Sequence, residues 1–414
     1  MTLTSLRSFK SSSRHLARMG AAALSLAIVF ALIIVAAPAG QAQSFTVLHN
    51  FTDGTDGAYP QSGVARDAAG NLYGTASSGG AGYGTVYKLT PKNGSWVFAP
   101  LYQFAGGNDG ANPVAPVMIG PNGSLYGTTY EGGGSGCGTV FNLRPEPMVP
   151  LTPLTPWVET MLHRFQCTDG EWPPYGDLVF DHAGNIYGTT SGGGTYDSGT
   201  VFKLTPSNGA WTESVLYSFD GGSGGGLPDS GVVLDSAGNL YGTVYGGFSE
   251  EAGGVYELTP SGSGWVEQVL HSFDISDGAD PMGGLIFDQS GNLYGTTTSY
   301  GPGGRGTVFE LSPSGGGWTL TTLSGSSGSL ASLTMDASGN LYGTGDDGAY
   351  GFGNVFRLTR SNGGWTYTSL HDFTGGSDGA YPWGGVTLDA HGNLWSTAWR
   401  GGAYGYGDVF EITP

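Results

Sequence analysis

The stretch Gly238-Asn239-Leu240-Tyr241-Gly242-Thr243 recurs through this chain and decides its fold. The spacings between successive copies are 53, 61, 54, 53, 48 and 53 residues. A period of this length is typical of propellers, solenoids and repeat arrays. The seven copies begin at Gly70, Gly123, Gly184, Gly238, Gly291, Gly339 and Gly392.

One repeat unit, taken from residues 231–273, contains the pattern of four short strands. The apolar run 231–235 predicts a first strand buried on both faces. A turn of the form Asp-x-x-Gly-Asn leads into a second strand at 239–244. The third strand is predicted at 254–259 and the fourth at 265–273, with alternate residues from Trp265 to Phe273 on one face.

Four antiparallel strands per unit and seven units predict an all-β, seven-bladed β-propeller over residues 43–414. An open β-solenoid is the alternative. The propeller and the solenoid differ in the pairing that they predict for residues 44–51. These residues copy the fourth-strand motif but precede the first complete unit. The seventh unit has only three strands, ending at 408–413. A closed ring therefore predicts that the N-terminal strand completes the last blade.

Composition places limits on the partners. The 78 glycines and 22 prolines would suggest disorder, but 12% of residues are aromatic and recur at fixed positions, where they can form a core.

Residues 43–414 hold ten Lys and Arg against 33 Asp and Glu, a net charge of −23. Such a surface repels nucleic acid and anionic lipid headgroups. We expect no nucleic-acid partner.

Residues 1–42 resemble a secretory signal peptide. Four basic residues, the last of them Arg18, precede an apolar run from Met19 to Ala37. Small residues at Gly40 and Ala42 then suit a cleavage site. An uncleaved membrane anchor is the alternative, since about 18 apolar residues can just span a bilayer. After cleavage we expect no membrane span and no C-terminal anchor, and we predict a secreted, extracellular or periplasmic protein.

The two cysteines are predicted to form a disulfide. Cys137 falls between the second and third strands of the second unit, and Cys167 follows its fourth strand. In an up-and-down blade these two loops emerge on the same face. Export makes a disulfide plausible chemically, and two buried thiols are the alternative.

Neither a catalytic nor a metal site is predicted, and no cofactor is expected. Every histidine after residue 42 occupies a repeat position rather than a cluster, which favours a structural role. The recurrent turn aspartates would form a wide ring, whereas the ligands of one metal must converge. The histidines are His49, His163, His182, His271, His371 and His391, and the aspartates are Asp67, Asp181, Asp235, Asp288, Asp336 and Asp389.

The loops before the first strands are the best candidates for binding. They share the frame Asp-Gly-x-x-Pro, as in Asp56 to Pro60, while the residue before the proline varies. A variable residue on a fixed frame suits a binding surface, although neutral drift gives the same pattern. An aromatic and cationic pair at Trp399-Arg400 also breaks the repeat. The candidate binding residues are Tyr59, Trp172, Asp280, Tyr381, Trp383, Trp399 and Arg400.

The repeat resembles the GloVer-type tandem repeat of bacterial extracellular proteins that carry various surface anchors. The resemblance rests on motifs such as residues 125–128 with 138–141, and residues 199–206 with 215–219. The Asp-x-x-Gly-Asn-Leu-Tyr turn also has a weaker similarity to NHL-type propellers. The GloVer resemblance implies an exported protein and no defined activity.

Together these features predict a secreted, non-catalytic repeat protein that binds or scaffolds at the cell exterior. The partner would be a saccharide or a protein at the loop face. Two alternatives stay open at this point. One is a propeller enzyme of the lyase or lactonase type, and the other is a purely structural envelope protein.

Overall fold

A computed structural model describes residues 43–146, 157–248, 251–325, 328–361 and 364–414. The expected signal segment and most of the Pro-rich stretch 145–156 lie outside these residues. The regular structure within them is β, apart from one turn of 3₁₀-helix at Pro121–Gly123. Among the described residues, no helix has the length and apolar character needed to cross a bilayer.

The strands fall into groups of four along the chain. In order they are β1 (Ser44–Asn50), β2 (Ala65–Arg66), β3 (Leu72–Ala76), β4 (Thr85–Lys92), β5 (Ser95–Gln103), β6 (Met118–Ile119), β7 (Leu125–Thr129), β8 (Thr139–Pro145), β9 (Trp157–Arg164), β10 (Val179–Phe180), β11 (Ile186–Thr190), β12 (Thr200–Ser207), β13 (Ala210–Ser218), β14 (Val233–Leu234), β15 (Leu240–Val244), β16 (Gly254–Ser261), β17 (Gly264–Ser272), β18 (Ile286–Phe287), β19 (Leu293–Thr296), β20 (Val308–Ser314), β21 (Gly317–Ser324), β22 (Thr334–Met335), β23 (Leu341–Gly345), β24 (Asn354–Ser361), β25 (Gly364–Asp372), β26 (Thr387–Leu388), β27 (Leu394–Ala398) and β28 (Asp408–Thr413).

These strands form seven four-stranded antiparallel sheets, the blades of a propeller. Blades 1 to 6 each use four consecutive strands, starting from β2–β5. Blade 7 has the order β26-β27-β28-β1, so the N-terminal strand is its outer strand. Phe45 pairs with Ile412 and His49 with Val409. The closed, seven-bladed ring is confirmed, and the open solenoid is excluded.

The structure corrects two details of the predicted repeat. The first strand of the fourth blade is only Val233–Leu234, and both residues are half-buried rather than buried on both faces. The first strands surround an open central channel, which leaves one face uncovered. The fourth strand does not keep one face throughout, because a β-bulge lies opposite Val255/Tyr256. The bulge exposes Val269 and buries Leu270 instead.

The glycine of the Leu-Tyr-Gly-Thr motif makes room for an aromatic ring. Gly242 pairs across the sheet with Tyr256, whose ring lies against the glycine backbone. A Cβ atom at Gly242 would stand 2.4 Å from the Tyr256 hydroxyl. Blades 1 to 6 repeat this contact with Tyr or Phe, and blade 7 has Ser396 opposite Phe410. The aromatic rings thus fill the blade core because the motif has no side chain there.

The aspartate of the first hairpin turn is a turn cap, as predicted. Asp67 Oδ1 accepts the backbone N–H of Ala69 at 2.9 Å and that of Asn71 at 2.8 Å. Its Oδ2 accepts the Asn71 side-chain amide at 2.7 Å and the Tyr73 hydroxyl at 3.0 Å. Burial acts to raise the pKa of Asp67, but these hydrogen bonds lower it overall. Both oxygens are therefore used within the turn.

A buried threonine hydroxyl links each blade to the next in six of the seven cases. Thr243 Oγ1 donates to the carbonyl of Gly283 in the following blade at 3.2 Å. Thr397 of blade 7 donates to Ser62 of blade 1 at 2.7 Å, which closes the ring. Thr128 of blade 2 differs, since its hydroxyl is buried without a partner. Its neighbour, blade 3, has one extra residue at this entry, Pro174.

Several half-buried carboxyl groups stay protonated to unusually high pH. Burial raises the pKa of Glu159 and of Glu267 to about 7, and that of Asp229 and of Asp346 to about 6. Glu267 faces the Tyr217 hydroxyl, which donates to it at 2.9 Å, and the Asp220 carboxylate. The folded state thus holds protons that the unfolded chain would release.

Removal of residues 44–51 tests the closure. Without β1, the outer edge of β28 is unpaired and the Phe45 ring leaves the core of blade 7. We expect a large loss of stability, measured as a fall in the midpoint of thermal unfolding. A truncated protein with the midpoint of the full chain would contradict the role assigned to β1.

Substitution of Gly242 by alanine tests the aromatic contact. The new methyl group meets the Tyr256 ring, so the free energy of unfolding should fall by about 1–3 kcal/mol in urea denaturation. Gly264→Ala is the matched control, because a Cβ atom added at this strand residue meets no other atom within 4 Å. An equal loss in both variants would contradict the proposed steric cause.

The half-buried carboxyl groups predict an unusual pH dependence of stability. Their pKa values are raised in the fold, so their contribution is complete below about pH 4.5 and declines as pH rises through 6–7. His49 and His371 oppose this, because burial lowers their pKa. We expect the unfolding midpoint to fall from pH 5 to pH 8. Glu267→Gln should reduce that fall, and an unchanged profile would contradict the assignment.

Candidate binding face

Two sets of loops emerge on one side of the ring, here called the loop face. One set joins the second and third strands of each blade, as between β3 and β4. The other joins the fourth strand of one blade to the first strand of the next, as between β5 and β6. The short hairpins of the other loops lie on the opposite side. All seven candidate binding residues belong to the loop face.

The Asp-Gly-x-x-Pro frame holds its variable residue in a fixed, left-handed backbone conformation. Tyr59 has φ 58°, and its N–H donates to the Tyr406 carbonyl of blade 7 at 2.9 Å. Its own carbonyl accepts the N–H of Ser77 in blade 1. A non-glycine residue is unusual in this conformation and is held there by its surroundings. The same conformation occurs at Tyr59, Asn112, Trp172, Leu227, Asp280 and Tyr381.

Five of the seven candidate residues meet where blade 7 adjoins blade 1. The rings of Trp383 and Trp399 stack with centroids 3.9 Å apart and an interplanar angle of 18°. The Arg400 guanidinium lies over the Trp399 ring, with Cζ 3.9 Å from its centroid. Tyr59 and Tyr381 flank Trp399 at 6.3 and 6.4 Å. We call these five residues the seam cluster, and each aromatic member is half-buried.

The other two candidate residues lie elsewhere on the loop face. Trp172, 40% exposed, stacks on Tyr130 with centroids 6.0 Å apart. Asp280 lies in blade 5, where its charge raises the pKa of Tyr245. The sequence predicted all seven as one set of candidates, and the structure brings only five of them together.

The exposed aromatic side chains of the described residues share the loop face. They sit at loop tips and at the residues that enter the first strands, and none belongs to the hairpins of the opposite side. They are Tyr83, Trp172, Tyr175, Tyr196, Tyr245, Tyr300, Tyr350 and Tyr404. Exposed aromatic rings concentrated on one face are a feature of interaction surfaces.

A central channel of about 580 Å³ opens beside the seam cluster. The first strands of all seven blades line it, and Trp383 belongs both to its lining and to the seam cluster. Asp177 also lines the channel, where surrounding protein raises its pKa to about 6. Asp229 lies near Tyr130, Tyr175 and Tyr245, and its charge acts to raise the pKa of each. The channel thus has aromatic side chains at the junction of blades 7 and 1, and carboxyl groups on the side of blades 3 and 4.

The fourth-strand histidines are tied to the frame aspartates, a pairing that the sequence did not reveal. His49 Nε2 lies 3.1 Å from Asp56 Oδ2, and the ring is edge-on to Phe51. Burial lowers the pKa of His49 and outweighs the raising effect of Asp56. The pairs His163–Asp169, His271–Asp277 and His371–Asp378 repeat this hydrogen bond. The regular spacing of histidine and aspartate in the repeat is the sequence feature from which this pairing could have been predicted.

The predicted disulfide is present. Cys137 and Cys167 are bonded, with Cα atoms 5.4 Å apart, and they join a loop of blade 2 to the connection that leads into blade 3. The N–H of Trp172 donates to the Cys137 carbonyl at 3.0 Å. The disulfide therefore fixes the loop that carries one candidate binding residue.

Comparison with known proteins agrees with this architecture. The family model of the Gloeobacter/Verrucomicrobia repeat matches residues 33–253 and 228–414. The chain therefore belongs to the Gloeobacter/Verrucomicrobia repeat family, which confirms the resemblance noted in the sequence. No curated protein matches the chain in sequence.

Two solved structures share the fold at low sequence identity. The extracellular domain of a one-component system from B. thetaiotaomicron is 11% identical, with a TM-score of 0.52. The match covers 89% of this chain and 40% of that chain. The polysaccharide lyase Uly1 is 13% identical, with a TM-score of 0.51, and the match covers 86% and 90%. At these identities the likeness shows the fold only.

Proposed function

We propose that this protein is an extracellular, non-catalytic propeller that binds a neutral saccharide at the seam cluster. The observation that carries the proposal is the stack of Trp383 on Trp399 at the mouth of the central channel, flanked by Tyr59 and Tyr381. Flat aromatic faces pair with the apolar faces of sugar rings, while the carboxyl groups near the mouth accept hydrogen bonds from hydroxyls.

The charge of the protein supports a neutral ligand. Acidic residues outnumber basic ones strongly, and Asp177 and Asp229 stand at or near the channel mouth. An anionic polysaccharide would be repelled by this field. Arg400 offers one cation at the site, and its guanidinium lies on Trp399.

The extracellular location is supported by the disulfide, because such bonds persist in oxidising compartments. The signal-like segment 1–42 supports the same location. The non-catalytic role is supported by the distribution of the His–Asp pairs, because the same pair recurs in four different blades rather than in one shared site. The pairs are His49–Asp56, His163–Asp169, His271–Asp277 and His371–Asp378.

A glycan array that contains neutral and uronic-acid polysaccharides tests the proposal, followed by calorimetric titration of the best ligand. We expect a neutral ligand, and Trp383→Ala should weaken binding about 2- to 12-fold, in line with the loss of one ring contact. Val266→Ala is the control, since Val266 is exposed on an outer strand.

Two results would count against the proposal. Wild-type affinity in Trp383→Ala would exclude the seam cluster as the binding site, and a loss of affinity only in Trp172→Ala would place binding at the Trp172–Tyr130 stack instead. Release of cleavage products from the bound polysaccharide would instead identify an enzyme, and unsaturated products from a uronic-acid polysaccharide would identify a lyase.

A further inference from the structure

Three side chains of metal-binding type converge at the interface between blades 2 and 3. His163 lies on β9, Asp169 in the connection into blade 3, and Glu213 on β13 of blade 3. His163 Nε2 is 3.1 Å from Asp169 Oδ2. One ligand atom from each of the three residues lies within 4.8 Å of the other two. The cluster therefore joins three separate segments and two blades.

The cluster contains an unsatisfied oxygen atom. Glu213 Oε1 is buried and has no hydrogen-bond partner, and the same is true of Glu159 Oε1 and Glu267 Oε1 at the equivalent positions of blades 2 and 4. Among the described residues, only Glu213 has both a histidine and an aspartate beside it. Asp169 is held from the opposite side, because its Oδ1 accepts the N–H of Gln166 at 2.7 Å, which orients Oδ2 toward His163. A buried acceptor without a donor is costly, and a bound cation would satisfy it. Asp277 is held in the same way by the N–H of Asp274, so this bond belongs to the repeat. It leaves Oδ2 of Asp169 available to a ligand, and ligating carboxylates are commonly hydrogen-bonded in this way.

The other blade interfaces provide internal comparisons. At two of them the histidine stacks on an aromatic ring in place of the glutamate, since His49 lies on Phe98 at 3.9 Å and His371 on Phe45 at 3.8 Å. At the interface after His271, the position equivalent to Glu213 is Leu320, which pairs with Leu311. These interfaces lack the third ligand.

Two further interfaces have the glutamate but lack the histidine. Glu267 accepts the hydroxyl of Tyr217, and Tyr217 stands where His163 stands in blade 2. Glu159 lies near Tyr102, which occupies the same position in blade 1. Among the described residues, only the interface of blades 2 and 3 combines histidine, aspartate and glutamate.

This interface also differs from the others in how its two blades are linked. Its Thr128 hydroxyl is buried without a partner, whereas the equivalent threonines donate to the next blade. The disulfide of Cys137 and Cys167 lies beside it, two residues before Asp169. A disulfide is thus present beside the one interface that lacks the threonine hydrogen bond.

We propose that His163, Asp169 and Glu213 bind a zinc ion that links blades 2 and 3. An imidazole among the ligands favours a transition metal over Ca²⁺ or Mg²⁺. Ligand atoms around tetrahedral zinc lie roughly 3.4 Å apart, so a small inward movement within the 4.8 Å cluster suffices. Three protein ligands leave the fourth position to water. His163 and Asp169 are about one-fifth exposed, which gives the ion access.

Calorimetric titration of tag-free, chelator-treated protein with Zn²⁺ at pH 7.5 tests the site, with Co²⁺ absorption as a second readout of coordination. We expect one equivalent to bind. Glu213→Gln and His163→Tyr should each weaken binding at least about tenfold. The tyrosine variant should fold, because Tyr102 and Tyr217 occupy the same position in other blades.

Glu267→Gln and Glu159→Gln are the matched controls, and both should keep wild-type affinity for Zn²⁺. Leu320→Glu places a glutamate opposite His271 and Asp277 and should add a second equivalent. Failure of the wild-type protein to bind Zn²⁺ would overturn the proposal. So would wild-type affinity in both Glu213→Gln and His163→Tyr, or an equal loss in Glu267→Gln.

Discussion

The hydrogen bond from a buried threonine to the next blade is the constraint on which the ring depends. The threonine ends the Leu-Tyr-Gly-Thr motif, so the motif that forms the second strand also sets the position of the following blade. Thr397 makes the same bond to Ser62, which places the last blade against the first. Six of the seven blades are thereby located by their predecessors, while the disulfide lies at the junction of blades 2 and 3, where the bond is missing. The loop face thus has a regular backbone on which side chains can vary.

The seam cluster is a consequence of this closure. Tyr59 and Trp399 are far apart in sequence, yet the ring places them on adjacent blades with ring centroids 6.3 Å apart. The left-handed residue of each frame adds a second link between blades, because its N–H and carbonyl bond to different blades. Aromatic residues at these positions are therefore held on a rigid backbone, which lowers the entropic cost of binding a ligand.

The sequence predicted the blade count, the closing strand and the disulfide, because each follows from counting repeat positions. It did not predict the exposure of Val269, since a β-bulge leaves no clear sequence signal. The grouping of Trp383 with Trp399 and the separation of Trp172 from them depend on three-dimensional placement. Glu213 was overlooked because its partners, His163 and Asp169, belong to the preceding unit, and a repeat alignment compares equivalent positions rather than neighbours.

The pairing of β1 with β28 also determines the order in which the molecule can fold. Ser44 and Thr413 are hydrogen-bonded although they are 369 positions apart. Each other blade consists of neighbouring strands and can assemble as its own segment becomes available, whereas blade 7 needs both ends of the domain. Contacts of such long sequence separation form slowly. We therefore expect closure to be the last step, with β28 presenting an unpaired edge to which other chains can add until then.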